Sequence, residues 1–297
     1  MHQATLIDGK AIAAALRADL KVQVDGLRAA GVTPGLAVLL VGDDPASAIY
    51  VRNKARACRK AGIASWIERL PATTTQAELA ARLDALNADP AVDGVLVQLP
   101  LPRHLDADAI TARVAVQKDV DGFGVANLGA LVAGQPALVA CTPAGVMAML
   151  RHHSAAHDWS LSGRHAVVIG RSLTVGKPMA LLLLAAHCTV TICHSRTVDL
   201  PAHLAKADLV VAAAGVPELV RGQWLQPGAV IIDVGIHRRP DGSLCGDVHF
   251  DSAAAVASAL SPVPGGVGPM TIAMLLANTV DACRRRRGPD QTNGAHS

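Results

Sequence analysis

His165-Ala166-Val167-Val168-Ile169-Gly170-Arg171-Ser172-Leu173-Thr174-Val175-Gly176-Lys177-Pro178 joins a short apolar run to a helix start through a glycine-bearing turn. An apolar run of this length reads as a buried parallel strand. A turn leading from strand to helix presents backbone amides and the positive end of a helix dipole, a site suited to phosphate. The spacing approximates Gly-x-Gly-x-x-Gly, with Ser172 in the second glycine place and Val175 in the third. The same string also fits a plain tight turn of an α/β domain. Past the next apolar run, Thr189 to Cys193, comes His194-Ser195-Arg196-Thr197, where a domain selective for NAD carries an acid for the ribose hydroxyls. A hydroxyl and a guanidinium there favour the 2′-phosphate of NADP; the competing reading is an exposed polar strand end.

Strands and helices alternate on both sides of this turn, without an internal repeat. Downstream, Leu209 to Ala213 and Val230 to Val234 read as strands, with the turn's own helix from Lys177 to Ala186. Upstream, helices are expected over Asp8 to Ala30, Ala46 to Ala61 and Gln76 to Asn87, and strands over Leu36 to Val41, Trp66 to Leu70 and Gly94 to Leu99. Near Cys141 a second α/β series begins: Thr142 is expected to cap a helix and Pro143 to fit its first turn. The segment Thr271 to Cys283 reads as a helix that packs back on the first series. Such alternation predicts an α/β fold with parallel sheets covered on both faces, and 297 residues suit two domains.

With 51% hydrophobic and 17% charged residues the chain has ample material for a folded core. A formal charge of +3 gives no argument for nucleic acid. The densest basic run, Arg284 to Arg287, is read as a solvated helix end. Six scattered cysteines (58, 141, 188, 193, 245, 283) lack Cys-x-x-Cys or zinc spacing and read as reduced small hydrophobes, which points to a cytosolic location. Neither a leader-like N-terminus nor a span of about 18 apolar residues appears, so no membrane role follows. His153 and His157, one helical turn apart, have no third ligand near in sequence and are read as surface histidines, with no metal expected.

The sole tyrosine, Tyr50, precedes Lys54 by four residues, which on a helix puts phenol and amine on one face. Such a pair can order a ring beside an acid/base amine, or can merely pack the ring while the lysine reaches water. At 261–271 comes Ser261-Pro262-Val263-Pro264-Gly265-Gly266-Val267-Gly268-Pro269-Met270-Thr271. Prolines stiffen this loop and glycines bare its backbone, so a flat ligand could lie against it.

With that loop the chain resembles the bifunctional methylenetetrahydrofolate dehydrogenase/cyclohydrolase family over nearly its whole length. The marks are Tyr50-x-x-x-Lys54, Val97-Gln98-Leu99-Pro100-Leu101-Pro102, Lys118-Asp119-Val120-Asp121-Gly122-Phe123, Cys141-Thr142-Pro143, Gly170-Arg171-Ser172 with Val175-Gly176, His194 to Thr197, Gly246-Asp247-Val248 and the Pro-Gly loop, all in one order. It departs from the family pattern in lacking a proline in Val114 to Gln117, in Ser261 for threonine, in His237 where asparagine is frequent, and in His249 for aspartate.

The resemblance implies an N-terminal α/β catalytic domain over 1–140, completed by a C-terminal helix at 271–297, and a Rossmann-like dinucleotide-binding domain over 141–270, with folate in a cleft between them. It implies oxidation of 5,10-methylenetetrahydrofolate to the methenyl cation with NADP, and hydrolysis of that cation to 10-formyltetrahydrofolate. Lys54 is then the general acid/base of hydrolysis, Gln98 its neutral hydrogen-bond partner, and Tyr50 the ring that stacks on or orients folate. Asp121 is implied to grip the pterin N-H groups, with Pro262, Gly265 and Gly266 also lining the substrate. Gly170, Arg171, Ser172, Ser195 and Ile236 are implied NADP contacts, and Arg196 joins them on charge and position. The family further implies a homodimer. A short-chain dehydrogenase, which shares the Tyr-x-x-x-Lys spacing, is ruled out by order, because there the dinucleotide turn comes before the tyrosine; a non-catalytic nucleotide-binding module is the other alternative.

Overall fold

The computed structural model describes residues 4–288. Its strands, in chain order, are β1 Thr5–Leu6, β2 Gly35–Val41, β3 Ala64–Leu70, β4 Gly94–Val97, β5 His165–Ile169, β6 Thr189–Cys193, β7 Leu209–Ala212, β8 Val230–Asp233, β9 His237–Arg238, β10 Leu244–Cys245 and β11 Ala259–Leu260. The helices are α1 Gly9–Ala29, α2 Pro45–Ala61, α3 Gln76–Ala88, α4 Ala107–Ala112, α5 Val125–Val132, α6 Cys141–Ala156, α7 Gly176–Ala185, α8 Leu200–Leu204, α9 Phe250–Ala254 and α10 Val267–Arg287. Two compact units result. One joins the residues up to Ala14 to Ala140–Met274; the other joins Ala15–Val139 to the chain from Leu275 onward. This division differs from the expected boundaries in the residues up to Ala14, since β1 pairs parallel with β11 (Thr5 with Ala259), and in residues 271–274, which fall in the first unit; of the expected C-terminal helix, residues 289–297 lie outside the described residues.

The first unit is built on a six-stranded sheet in the order β1-β11-β8-β7-β5-β6, every pair parallel. Its strands are apolar because both faces are covered: Val167, Ile169, Val210, Ala212, Ile231 and Leu260 belong to one buried cluster. From β5 the chain moves to β6 on one side and returns to β7 on the other, so the order reverses between β5 and β7. Open α/β sheets bind ligands beyond the carboxyl ends of their strands at such a reversal.

The second unit has the parallel order β3-β2-β4. Central β2 is buried along its whole length, whereas edge strand β3 has only half-buried and exposed positions. Leu39, Val41, Leu79, Leu83, Val95 and Val97 form its core with α3. The order reverses between β2 and β4, and the element leaving β2 is α2. That helix starts where the Asp44 side chain accepts from the Ser47 amide at 2.7 Å, with Pro45 in the first turn.

Three expectations are corrected here. Arg286 and Arg287 are not a solvated helix end. The Asp93 carboxylate, fully buried, accepts from Arg286 Nη1 at 2.9 Å, from Arg287 Nε at 2.9 Å, and from Arg287 Nη2, while Gly35 N donates to it at 2.9 Å. Further donations reach Val92 O at 2.6 Å and Thr33 O at 2.8 Å, so the last turn of α10 clasps the start of β2; only Arg284 and Arg285 are exposed. Thr142 does not cap α6: its hydroxyl lies 3.0 Å from that of Thr271, and the capping position is Ala140, without a side-chain bond. His153 is not a surface histidine; it is buried against the rings of His157 and Trp159, and burial lowers its pKa from the usual histidine value.

Candidate active site

In the three-stranded unit, α2 carries Tyr50 and Lys54 and β4 runs into Gln98. Gln98 N still donates to Leu39 O at 2.9 Å, which continues the sheet ladder and fixes where its side chain starts. Lys54 Nζ donates to Gln98 Oε1 at 3.1 Å, and Gln98 Nε2 donates to Leu99 O at 2.7 Å, so the amide is held from both ends. Leu99-Pro100 is a cis peptide. Tyr50 is 48% exposed, its ring open to a ligand.

Asp121 belongs to the same group of charges. Burial pushes its carboxyl up to about 6, the charge of Lys54 opposing and that of Asp119 adding to the shift. The loop that presents it is wired from inside, unlike the solvated loop its composition describes. Asp119 accepts from Gly122 N at 3.0 Å, Gly124 N at 2.9 Å and Asn127 Nδ2 at 2.9 Å. Lys118 is buried and donates to Leu86 O at 2.9 Å and Asp89 O at 2.7 Å; burial, followed by the Arg286 charge, lowers its pKa to about 8. From α10, Asn278 Nδ2 donates to Val120 O at 2.8 Å and to Val139 O at 2.9 Å. Asp121 is thus flanked by fixed backbone on both sides.

The six-stranded unit holds the other expected residues. Between β5 and α7, Gly170 has φ +128°, and a Cβ there would run into the Ala213 carbonyl; a Cβ at Gly176 would run into that of Gly170. Backbone therefore packs on backbone across the turn. Ser172 Oγ accepts from Val175 N at 3.1 Å and from Gly176 N at 3.3 Å, tightening the approach to α7. Arg171 to Thr174 are exposed, and their amides have no acceptor among the described residues, which is the donor set an anion requires. After β6, His194 N donates to Thr197 Oγ1 at 2.8 Å, closing a turn that leaves Ser195 and Arg196 exposed. Ile236 is 47% exposed just beyond β8. Pro262, Gly265 and Gly266 lie in this unit and not in the one that holds Lys54; Gly265 O accepts from Lys10 N at 2.8 Å.

A buried acidic pair went unassigned at the level of sequence. Asp233 accepts from Gly235 N, Asp247 N and Val248 N, each at 2.9 Å, and burial pushes its carboxyl up to about 6. Asp247, also buried, accepts from Ala214 N at 2.5 Å and Gly215 N at 2.9 Å, and lies 2.7 Å from His237 Nε2. Gly246-Asp247-Val248 stood out as a motif, but a lone aspartate carries no signal of its own burial.

A parallel sheet with an amide-rich turn at its order reversal, in a chain whose other unit gathers an amine, an amide and a carboxylate, defines a two-unit α/β nucleotide-dependent enzyme. Residues 7–121 match the family model for the tetrahydrofolate dehydrogenase/cyclohydrolase catalytic domain, and residues 140–287 match that for its NAD(P)-binding domain. The chain belongs to the tetrahydrofolate dehydrogenase/cyclohydrolase family. It is 56% identical over 282 residues to the bifunctional protein FolD of Moorella thermoacetica, covering 95% of this chain and 99% of that one. The Bordetella petrii protein of the same name is 56% identical over 285 residues, 96% of each chain. Among solved structures, the Campylobacter jejuni FolD dehydrogenase/cyclohydrolase superposes with a TM-score of 0.93 at 45% identity, covering 95% of this chain and 99% of that one. The Trypanosoma brucei enzyme, solved with NADP and an inhibitor, gives 0.90 at 39%, covering 96% and 99%.

Proposed function

We infer that the chain oxidises 5,10-methylenetetrahydrofolate to the methenyl form with NADP and hydrolyses the methenyl form to 10-formyltetrahydrofolate. The observation that carries this reading is the Lys54–Gln98 hydrogen bond beside Asp121, in the unit that matches the catalytic domain. NADP, when bound, supplies the hydride acceptor. The free amides of Arg171 to Thr174, the bare backbone at Gly170 and Gly176, and the exposed Ser195 and Arg196 fit its phosphates, and Ile236 offers backbone and an apolar surface to the nicotinamide side.

In hydrolysis, water adds to the methenyl carbon as one of its protons passes to the Lys54 amine; the resulting ammonium gives that proton to N5 as the C–N5 bond breaks, and the freed amine takes the remaining hydroxyl proton as the C=O forms and releases it to solvent. Gln98 accepts from the amine without adding the negative charge that would hold it protonated. Ionised Asp121 accepts from the pterin N-H groups, and Tyr50 covers the ring. We assign folate to the unit of Ala15–Val139 and NADP to that of Ala140–Met274. A cytoplasmic homodimer is the assembly that the family resemblance implies; the six cysteines are buried thiols, and among the described residues no helix is long and apolar enough to cross a membrane. A sedimentation mass of one chain would remove the dimer.

Lys54→Met tests the central claim. Loss of the proton-transfer group lowers the hydrolysis rate on the order of a hundredfold or more, while NADP titration gives the wild-type affinity. Hydrolysis at the wild-type rate by the folded variant would strip Lys54 of its role.

A further inference from the structure

We propose that His237 and Asp247 form a positioning pair that holds one wall of the cofactor crevice in place for hydride transfer. The proposal rests on the NADP reading above and adds to it two residues that touch neither cofactor nor substrate.

The sheet's order reversal puts a crevice at the carboxyl ends of β5 and β7. Its first wall is the turn Gly170 to Val175. The second is the turn after β7, where the Ala213 carbonyl stands so close to Gly170 that no Cβ fits between them. A displacement of either turn therefore moves the other. Asp247 fixes the second turn through one oxygen, Oδ2, which takes the amides of Ala214 and Gly215. Its side chain is fully buried, so the other oxygen needs a donor as well, and His237 Nε2–H supplies it at 2.7 Å. The remaining polar contacts tie this brace to its surroundings. Asp233 holds the Asp247 amide and the Gly235 amide through the same oxygen, and its own amide donates to Ser261 Oγ at 2.8 Å, at the head of the Pro-Gly loop. Gly246 has no room for a side chain, since a Cβ would strike the Asp233 carboxylate. Exposed Ile236 thus stands between Gly235 and His237, both anchored to buried carboxylates.

Without the histidine donor, Asp247 Oδ1 is left buried and unpaired. The carboxylate then gains by rotating toward water and away from the two amides, and the wall loosens. An imidazole and a carboxamide both offer an N–H here, so the histidine standing where asparagine is frequent keeps the donor while changing its reach.

The experiment compares wild type, His237→Ala, His237→Leu and His237→Asn for methylenetetrahydrofolate oxidation, methenyl hydrolysis, NADP affinity and melting temperature. His237→Ala and His237→Leu are expected to lower the oxidation kcat roughly tenfold through misplacement of the reacting ring and to lower the melting temperature, with hydrolysis at the wild-type rate, and His237→Asn to recover most of both losses. Unchanged oxidation in His237→Ala, an equal fall in both activities, or an Asn variant no better than Leu would overturn the pair. If the wild-type chain performed neither reaction, the functional reading would fail by itself. NADP affinity would then decide: weakened in Ala and Leu and restored in Asn upholds the brace, and equal affinity in all four removes it.

Discussion

Asp121 has opposite pH behaviour with and without a ligand. Its folded carboxyl titrates near 6, above the unfolded value of about 3.9, so the unliganded fold keeps a proton that the unfolded chain has released. This group's contribution to stability is complete below the unfolded pKa and is lost as pH rises through about 6. Pterin recognition by an ionised acid runs the other way, and folate affinity is expected to weaken as pH falls through about 6. Asp121→Asn removes that pH step and weakens folate binding by roughly 1–3 kcal/mol for each buried N-H left unmatched, while NADP binding, served by residues of the other unit, is unchanged. Calorimetric titrations with each ligand at several pH values check this; a parallel loss of NADP affinity would make Asp121 a residue of the fold. At this scale the sequence was legible in part. Tyr50 and Lys54 share a helix face by spacing alone, but the meeting of Lys54 with Gln98, 44 residues apart, is a product of sheet order and came only from the resemblance. Asp93, Asp233 and Asp247 stayed unread because a carboxylate's burial depends on donors distant in sequence.

Among elements, the buried parallel strands were read most closely, because a strand covered on both faces is an unbroken apolar run: β5 and β6 have the expected ends, and β2, β7 and β8 differ by a single residue. The two-residue strands β1, β9, β10 and β11 and the short helices α4, α5, α8 and α9 have too few residues for a period to emerge. The end of α10 was misread for another reason: four consecutive arginines look solvated until a buried acid is known to face two of them. Breaking that clasp leaves charges uncompensated, and Asp93→Ala is expected to destabilise its unit by about 3–5 kcal/mol. Trp66 lies in that unit against Gly35, so its fluorescence reports the transition once Trp159 and Trp224 are replaced by phenylalanine. A denaturation midpoint equal to that of the parent would show the arginines to be bystanders.

For the molecule as a whole, the unit bearing Lys54 is discontinuous in sequence, since Asn278, Arg286 and Arg287 return to residues before Val139. A fragment of residues 15–139 is expected not to unfold cooperatively, and one with residues 275–288 rejoined by a flexible linker is expected to do so, as followed by circular dichroism against denaturant; a cooperative transition in the shorter fragment would contradict this. The same discontinuity sets a schedule during synthesis. When the ribosome has polymerised Val139, most of the Lys54 unit exists as chain, yet Asp93 waits for its arginines through another 148 residues, from 139 to 287, roughly 7–30 s at about 5–20 residues per second. The nucleotide-side unit needs nothing beyond Met274. Residues 140–274 thus supply the unit that can be finished first, while Asp93 waits, its unit unclosed, until the last turn of α10 emerges.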